Sequence, residues 1–304
     1  MDSRFVFQEC NDIQSFIIGE GVNRIPDYAF YSLWHLFDTL PLLSRFNYIG
    51  AWSFPHRTDI LSIPNSINGF GDSAFYDCDN LLTINTSAQI IGSGAFANCD
   101  SLLTANIYSR SICSSAFANC DRLVSVTLGD SVETLGSGAF SGCFRLNNIT
   151  LGNGISSIGD RAFSGCIRLT NPELPNSLVT IGSRAFDGCG DINGKLTFPA
   201  SITHIGDSAY NGVGNITEIE MKGSTPPTIH AHTFAAVDSL VTVSVPCEAI
   251  LNYYITDYWE NFPNIVEAPP YRLTVQSNNE VMGTATVTQQ TTCSNHTATI
   301  YAVA

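Results

Sequence analysis

Apolar and polar positions recur along this chain in a fixed order. An aromatic residue returns at Phe7, Phe30, Phe54, Phe75, Phe96, Phe117, Phe140, Phe163, Phe186, Tyr210 and Phe234, 21 to 24 residues apart. Five positions earlier stands an apolar column: Ile25, Ile49, Phe70, Ile91, Ile112, Leu135, Ile158, Ile181, Ile205 and Ile229. The residue just before the aromatic is small, as in Ala74, Ala95 and Ala116, which suits coils that must approach closely. Six positions after it runs a second apolar column that includes Leu81, Leu102, Leu123, Leu146 and Leu169. A period in the twenties predicts a solenoid, whose surface is long and open rather than gathered around one deep pocket.

Within a repeat, Leu123-Val124-Ser125-Val126-Thr127-Leu128 has the β-branched residues and period-two alternation of a strand. Turn residues such as Gly129-Asp130-Ser131 follow, then a short second extended piece, Val132 to Gly136. The Ala-Phe-x-x-Cys stretch predicts one helical or 3₁₀ turn per coil. The expected fold is therefore an α/β repeat solenoid of about eleven coils, one cooperative stack. A lone repeat burying five apolar side chains gains roughly 10 kcal/mol. Ordering its backbone costs on the order of 25–45 kcal/mol.

Ten cysteines could suggest a disulfide scaffold, but Cys10, Cys78, Cys99, Cys120, Cys143, Cys166 and Cys189 all fall three residues after the aromatic. They form one column, in which other rows place Leu33, Val213, Val237 and, as an exception, Arg57. The column reads as reduced thiols used as small core residues. No Cys-x-x-Cys pair supports a zinc site. Cys113 stands in a column otherwise held mostly by glycine, and Cys247 and Cys293 lie outside the rows, with no pairing legible. Because Pro26 and His230 share the glycine column, a positive φ is not what it requires.

Composition narrows the partners. Thirteen basic against 27 acidic residues give a net charge of −14, and the only lysines are Lys195 and Lys222. Nucleic acid and anionic membrane surfaces are poor partners for such a chain. No run of about 20 apolar residues suggests a membrane span, and no cofactor motif occurs. No signal peptide is evident, and Met1 precedes Phe7 too closely for the first row to have its incoming strand. The expectation is a chain that begins inside a longer protein.

The pattern Ile-Gly-x-x-Ala-Phe-x-x-Cys-x-x-Leu-x-x-Ile-x-Leu resembles the BspA-like, or treponemal-type, leucine-rich repeat family of bacterial surface proteins. The match spans residues 1 to about 245 and is sharpest in the central rows. That resemblance implies a right-handed parallel-strand solenoid, cell-surface or extracellular, with no catalytic residues. It also implies binding to host or bacterial proteins or glycoproteins. Residues 246–267 look like the helical cap of such solenoids, and 268–304 like a linker and a partial β-rich module of the internalin B-repeat type. Capping is required because the last apolar row would otherwise face water.

Outward strand positions eight and ten after the aromatic form a candidate binding ladder: Thr83 and Asn85, Thr104 and Asn106, Ser125 and Thr127, Asn148 and Thr150, Asn171 and Glu173, Glu218 and Glu220, Thr242 and Ser244. A plain solvated sheet face would have the same composition. Trp34, Phe37 and Trp52, in the irregular second and third rows, form a candidate aromatic patch, alternatively a distorted core. Trp34 or Trp52 is also what glycan capture would use. His230 and His232 could share a strand face, but no third metal ligand is near. Leu128-Gly129-Asp130-Ser131 mimics an esterase nucleophile block yet occupies a repeat turn. A parallel β-helix polysaccharide lyase is the enzymatic rival, disfavoured by scattered basic residues. A passive spacer is the remaining alternative.

Overall fold

The computed structural model describes residues 21–32, 45–60 and 62–268, together with the backbone of 285–287 and 300–302. Cys10, Trp34, Phe37 and Cys293 lie outside the described residues. The chain is a parallel-strand solenoid of about ten coils, with two sheet faces joined by a turn face. The short extended pieces, two residues each from Arg24–Ile25 to His204–Ile205, stack in register into one nine-stranded parallel sheet. Their second residue is buried in every row, because the apolar column five before the aromatic points inward. The longer strands Thr83–Thr86, Thr104–Ile107, Ser125–Leu128 and Asn148–Thr150 form a second parallel sheet. Gly194–Phe198, Ile216–Met221, Thr242–Val245 and Ile265–Glu267 form a third.

The Ala-Phe-x-x-Cys stretch is not the helical or 3₁₀ turn expected. It is a run of turns in which the residues two before and two after the aromatic have positive φ, for example Gly94 at 63° and Asn98 at 60°. This alternation aims every second N–H along the solenoid axis. Gly94, Phe96 and Asn98 donate to the Ser114, Ala116 and Ala118 carbonyls of the next coil at 2.9, 2.8 and 2.8 Å. A helix would close those bonds inside the coil and leave the coils unlinked on this face. The position two after the aromatic is accordingly Asp77, Asn98, Asn119, Gly142, Gly165, Gly188 and Gly212, the residue types that tolerate a left-handed backbone.

The glycine column four before the aromatic has ordinary φ, as expected, and its physical cause is proximity. A Cβ on Gly159 would lie 2.7 Å from the Gly136 carbonyl carbon and from Leu135 O of the preceding coil. Inside the coil, the aromatic rings stack from Phe30 to Phe234 with centroids 5.0–5.7 Å apart and planes within 20°.

The cysteine column is buried and reduced from Cys78 to Cys189. It is more than apolar filler: each Sγ donates to the carbonyl of the aromatic one coil further back. Cys99 reaches Phe75 O at 3.3 Å, Cys120 reaches Phe96 O at 3.2 Å, and Cys166 reaches Phe140 O at 3.2 Å. In the slot's exception, buried Arg57 is neutralised by Asp59, its Nε 2.6 Å from Oδ1. Cys113 is a free thiol.

The solenoid end is closed by a short helix, a 3₁₀ turn and one added strand. Ile250–Tyr254 is a helix of five residues and Trp259–Asn261 a 3₁₀ turn, while Ile265–Glu267 adds a fourth strand to the third sheet. Buried Trp259 stands 6.2 Å from the Phe234 ring and donates Nε1 to Pro227 O at 2.9 Å, so the last stacked aromatic is covered. Further on, Ala285–Val287 and Ile300–Ala302 pair antiparallel.

Candidate binding surface

On the second sheet, alternation alone decides which side chains reach solvent: Ile84, Ala105, Val126 and Ile149 point inward and their neighbours outward. Parallel register then aligns the outward residues into two rows. Thr83, Thr104, Ser125 and Asn148 form one, and Asn85, Asn106, Thr127 and Thr150 the other. With strands about 4.8 Å apart, each row spans roughly 14 Å. None of these eight side chains makes a hydrogen bond to another described residue. The other face differs: there Thr180 Oγ1 donates to Ser157 Oγ at 2.8 Å.

The ladder does not run on to the third sheet, contrary to expectation. Asn171 and Glu173 belong to no strand, because Pro172 and Pro175 remove backbone donors from that row. The Asn171 side chain stands in for the missing ladder. Its Nδ2 donates to Asn193 O at 2.6 Å and Lys195 O at 2.9 Å, and its Oδ1 accepts from Asn193 N–H at 2.9 Å. Beyond the gap, Glu218 and Glu220 are spent on each other's neighbours. Lys195 Nζ lies 3.0 Å from Glu218 and 3.3 Å from Glu220, and Thr197 Oγ1 donates to Glu220 at 3.0 Å. Partial desolvation opposes the Lys195 charge, but the hydrogen bond to Glu218 and the field of Glu220 outweigh it and raise its pKa. Ser244, expected to face outward, is buried and donates to Glu218 at 2.9 Å.

Of the aromatic patch only Trp52 is among the described residues. It lies on the turn face with φ 52°, its ring 6.0 Å from Tyr31 and 5.4 Å from Tyr76. Tyr31 is exposed, and Tyr76 accepts at its hydroxyl from Asn98 Nδ2 at 2.6 Å. Tyr31 belongs with Trp52 to the aromatic cluster legible in the sequence, whereas Tyr76, one coil on, was missed as a partner of Trp52. The signal was their common place beside the core aromatics Phe30, Phe54 and Phe75. His230 and His232 do not act together. His230 lies 5.4 Å from the His204 ring, and His232 Nδ1 lies 3.4 Å from Asp207. Ser131 sits in a turn and donates to Tyr108 O at 2.6 Å, as befits a repeat turn.

A cleft of about 560 Å³ opens where the two outer sheets part, lined by Leu151, Asn171–Asn176, Lys195–Phe198, Tyr210 and Lys222 among others. No group of three or more His, Cys, Asp or Glu among the described residues could hold a metal, and no helix there is long and apolar enough to cross a membrane.

Comparison with known proteins agrees with this architecture. The family model of the BspA type leucine rich repeat region matches in six copies, over residues 3–103, 89–194 and 133–258. A leucine-rich repeat protein from Eubacterium ventriosum is 24% identical, with a TM-score of 0.50 over 63% of this chain and 59% of that one. A leucine-rich repeat protein from Bacteroides ovatus is 28% identical, with a TM-score of 0.43 over 60% of this chain and 54% of that one. The T. pallidum leucine-rich repeat protein is 29% identical, with a TM-score of 0.38 over 39% of this chain and 58% of that one. The match thus spans little more than half the length of these relatives. Curated proteins give no match.

Proposed function

Because the chain belongs to the BspA-type leucine-rich repeat family, we propose that it is a non-enzymatic bacterial surface or secreted protein that binds a protein partner through the outer sheet face of its solenoid. One observation carries the reading. Thr83, Asn85, Thr104, Asn106, Ser125, Thr127, Asn148 and Thr150 form an ordered grid whose hydroxyls and amides have no partners within the described protein. Such a grid offers donors and acceptors at fixed spacing and loses little entropy on binding, because the strands beneath are rigid. The test is the triple replacement of Thr104, Thr127 and Thr150 by lysine, measured against an array of extracellular glycoproteins and isolated glycans. Binding to a protein that survives deglycosylation, and is lost in the triple variant, is the expected result. Binding that is unchanged in the variant excludes this face, and a glycan-only signal replaces the reading with carbohydrate capture.

A further inference from the structure

The ridge where each coil leaves the turn face for the outer sheet carries a charge pattern that packing does not explain. Two exposed positions there, four and five after the aromatic, lie between the buried cysteine and leucine columns. In the coils of Phe75, Phe96 and Phe117 the first position holds Asp79, Asp100 and Asp121. In the coils of Phe117, Phe140 and Phe163 the second holds Arg122, Arg145 and Arg168. Each set keeps the register of the strands beside it, so each is a stack of like charges one coil apart, roughly 4.8 Å. The acids end where the arginines begin.

Neither stack is relieved within the molecule. The six side chains make no hydrogen bond or ion pair with a described residue, whereas Arg24 lies over the Tyr48 ring and Arg57 and Arg110 are paired with Asp59 and Glu133. Burial and the fields of Asp121, Asp79 and Asp77 raise the Asp100 pKa, so like charge outweighs any cation near it. No metal cluster among the described residues accounts for the acids. Asp191 closes the basic stack one coil on, and Arg161 and Arg184, also unpaired, add positive charge from the turn face. Beside Arg145 and Arg168 stand Phe144 and Ile167, 47% and 50% exposed, an apolar bed for the arginine stems.

We infer that two copies of this chain associate antiparallel along this ridge, the aspartate stack of each against the arginine stack of the other. A two-fold axis across the solenoid at the Phe117 coil brings Asp79 of one copy level with Arg168 of its mate, Asp100 level with Arg145, and Asp121 level with Arg122. Both copies have the same coil spacing, so all three pairs stay in step. An unrelated acidic segment would answer the arginines and leave the aspartates unpaired. Exposed ion pairs are individually weak, which makes the dimer reversible and sensitive to salt. This association goes beyond the proposed partner binding and does not depend on it, because the grid lies further along the sheet, eight and ten after the aromatic.

The test is sedimentation equilibrium of the full chain at rising concentration, in about 20 mM and about 500 mM sodium chloride. The natural chain should dimerise at low salt, with an affinity about tenfold or more weaker at high salt. Two variants each reverse one stack: Arg145→Asp with Arg168→Asp, and Asp79→Arg with Asp100→Arg. All four positions are exposed, so both variants should keep the natural circular dichroism spectrum. Alone, each should self-associate about tenfold or more weakly than the natural chain, because like charges then face each other. Their equimolar mixture should restore the dimer, since the reversed stacks again meet opposite charge. A natural chain that stays monomeric at low salt overturns the interface, as does dimerisation indifferent to both reversals or a mixture that fails to pair. Binding of a polyglutamate peptide through Arg145 and Arg168 to a chain that stays monomeric also overturns it and assigns the stripe to an acidic partner.

Discussion

The cysteine column makes the solenoid sensitive to alkali in a calculable way. Burial pushes the Cys78, Cys99, Cys120 and Cys166 thiols well above their ordinary range, and raises Cys189 to about 12. In the unfolded chain the same thiols titrate near their reference value of 9.0. Between that pH and the native pKa, the unfolded state has released protons that the native state still holds, so stability falls as pH rises. At pH 10 an unfolded thiol is about nine-tenths ionised, which favours unfolding by about 1.4 kcal/mol per thiol, or about 7 kcal/mol for five. That loss is comparable to the whole stability of a typical domain, about 5–15 kcal/mol. Urea unfolding at pH 7 and pH 10, for the natural chain and for Cys120→Val, measures it. Valine is a fair replacement because Val213 holds the same slot. The variant should recover about 1.4 kcal/mol of the alkaline loss, since buried tyrosines and other groups shift both proteins equally. Equal pH dependence in the two proteins, or prompt maleimide labelling of Cys120 in the folded chain, would show that the column is not sealed.

Three further outcomes follow from the same packing. Gly159→Ala should destabilise by about 3 kcal/mol or more, because the methyl group meets rigid backbone. Gly190→Ala, whose Cβ would have Ile167 O as its only close neighbour at 3.7 Å, should be neutral within about 1 kcal/mol by thermal unfolding. Trp259→Ala removes the cover of Phe234 and the bond to Pro227, at a cost of about 3–5 kcal/mol. Hydrogen exchange should show protection lost first in Thr242–Val245 rather than in the central coils. Ser109→Ala should raise stability by about 1 kcal/mol, because Ser109 Oγ is a buried oxygen with no hydrogen-bond partner among the described residues. A melting temperature unchanged or lowered by that substitution counts against the unpaired hydroxyl.

The fold was legible where one residue column had one physical reason. Ile158, Phe163 and Leu169 recur because each row must bury the same three contacts, and the structure buries all three. What went unread were positions with reasons of geometry rather than hydrophobicity. Asn98, Asn119, Gly142 and Gly165 look like loop polarity in one row, but as a column they mark a left-handed backbone that turns peptide N–H groups toward the next coil. The cysteines were identified as buried thiols, yet an S–H bond to a carbonyl one coil back leaves no trace in a slot that valine also fills.

The binding face shows the same division. Period-two alternation fixed that Thr104, Asn106, Thr127 and Thr150 point outward, and parallel register aligned them. The ladder does not extend through Asn171 and Glu173: their spacing from the aromatic is kept, but Pro172 and Pro175 remove the backbone donors a strand there would need. That lost strand opens the cleft, and the neighbouring exception in the core column, tyrosine for phenylalanine, supplies its floor.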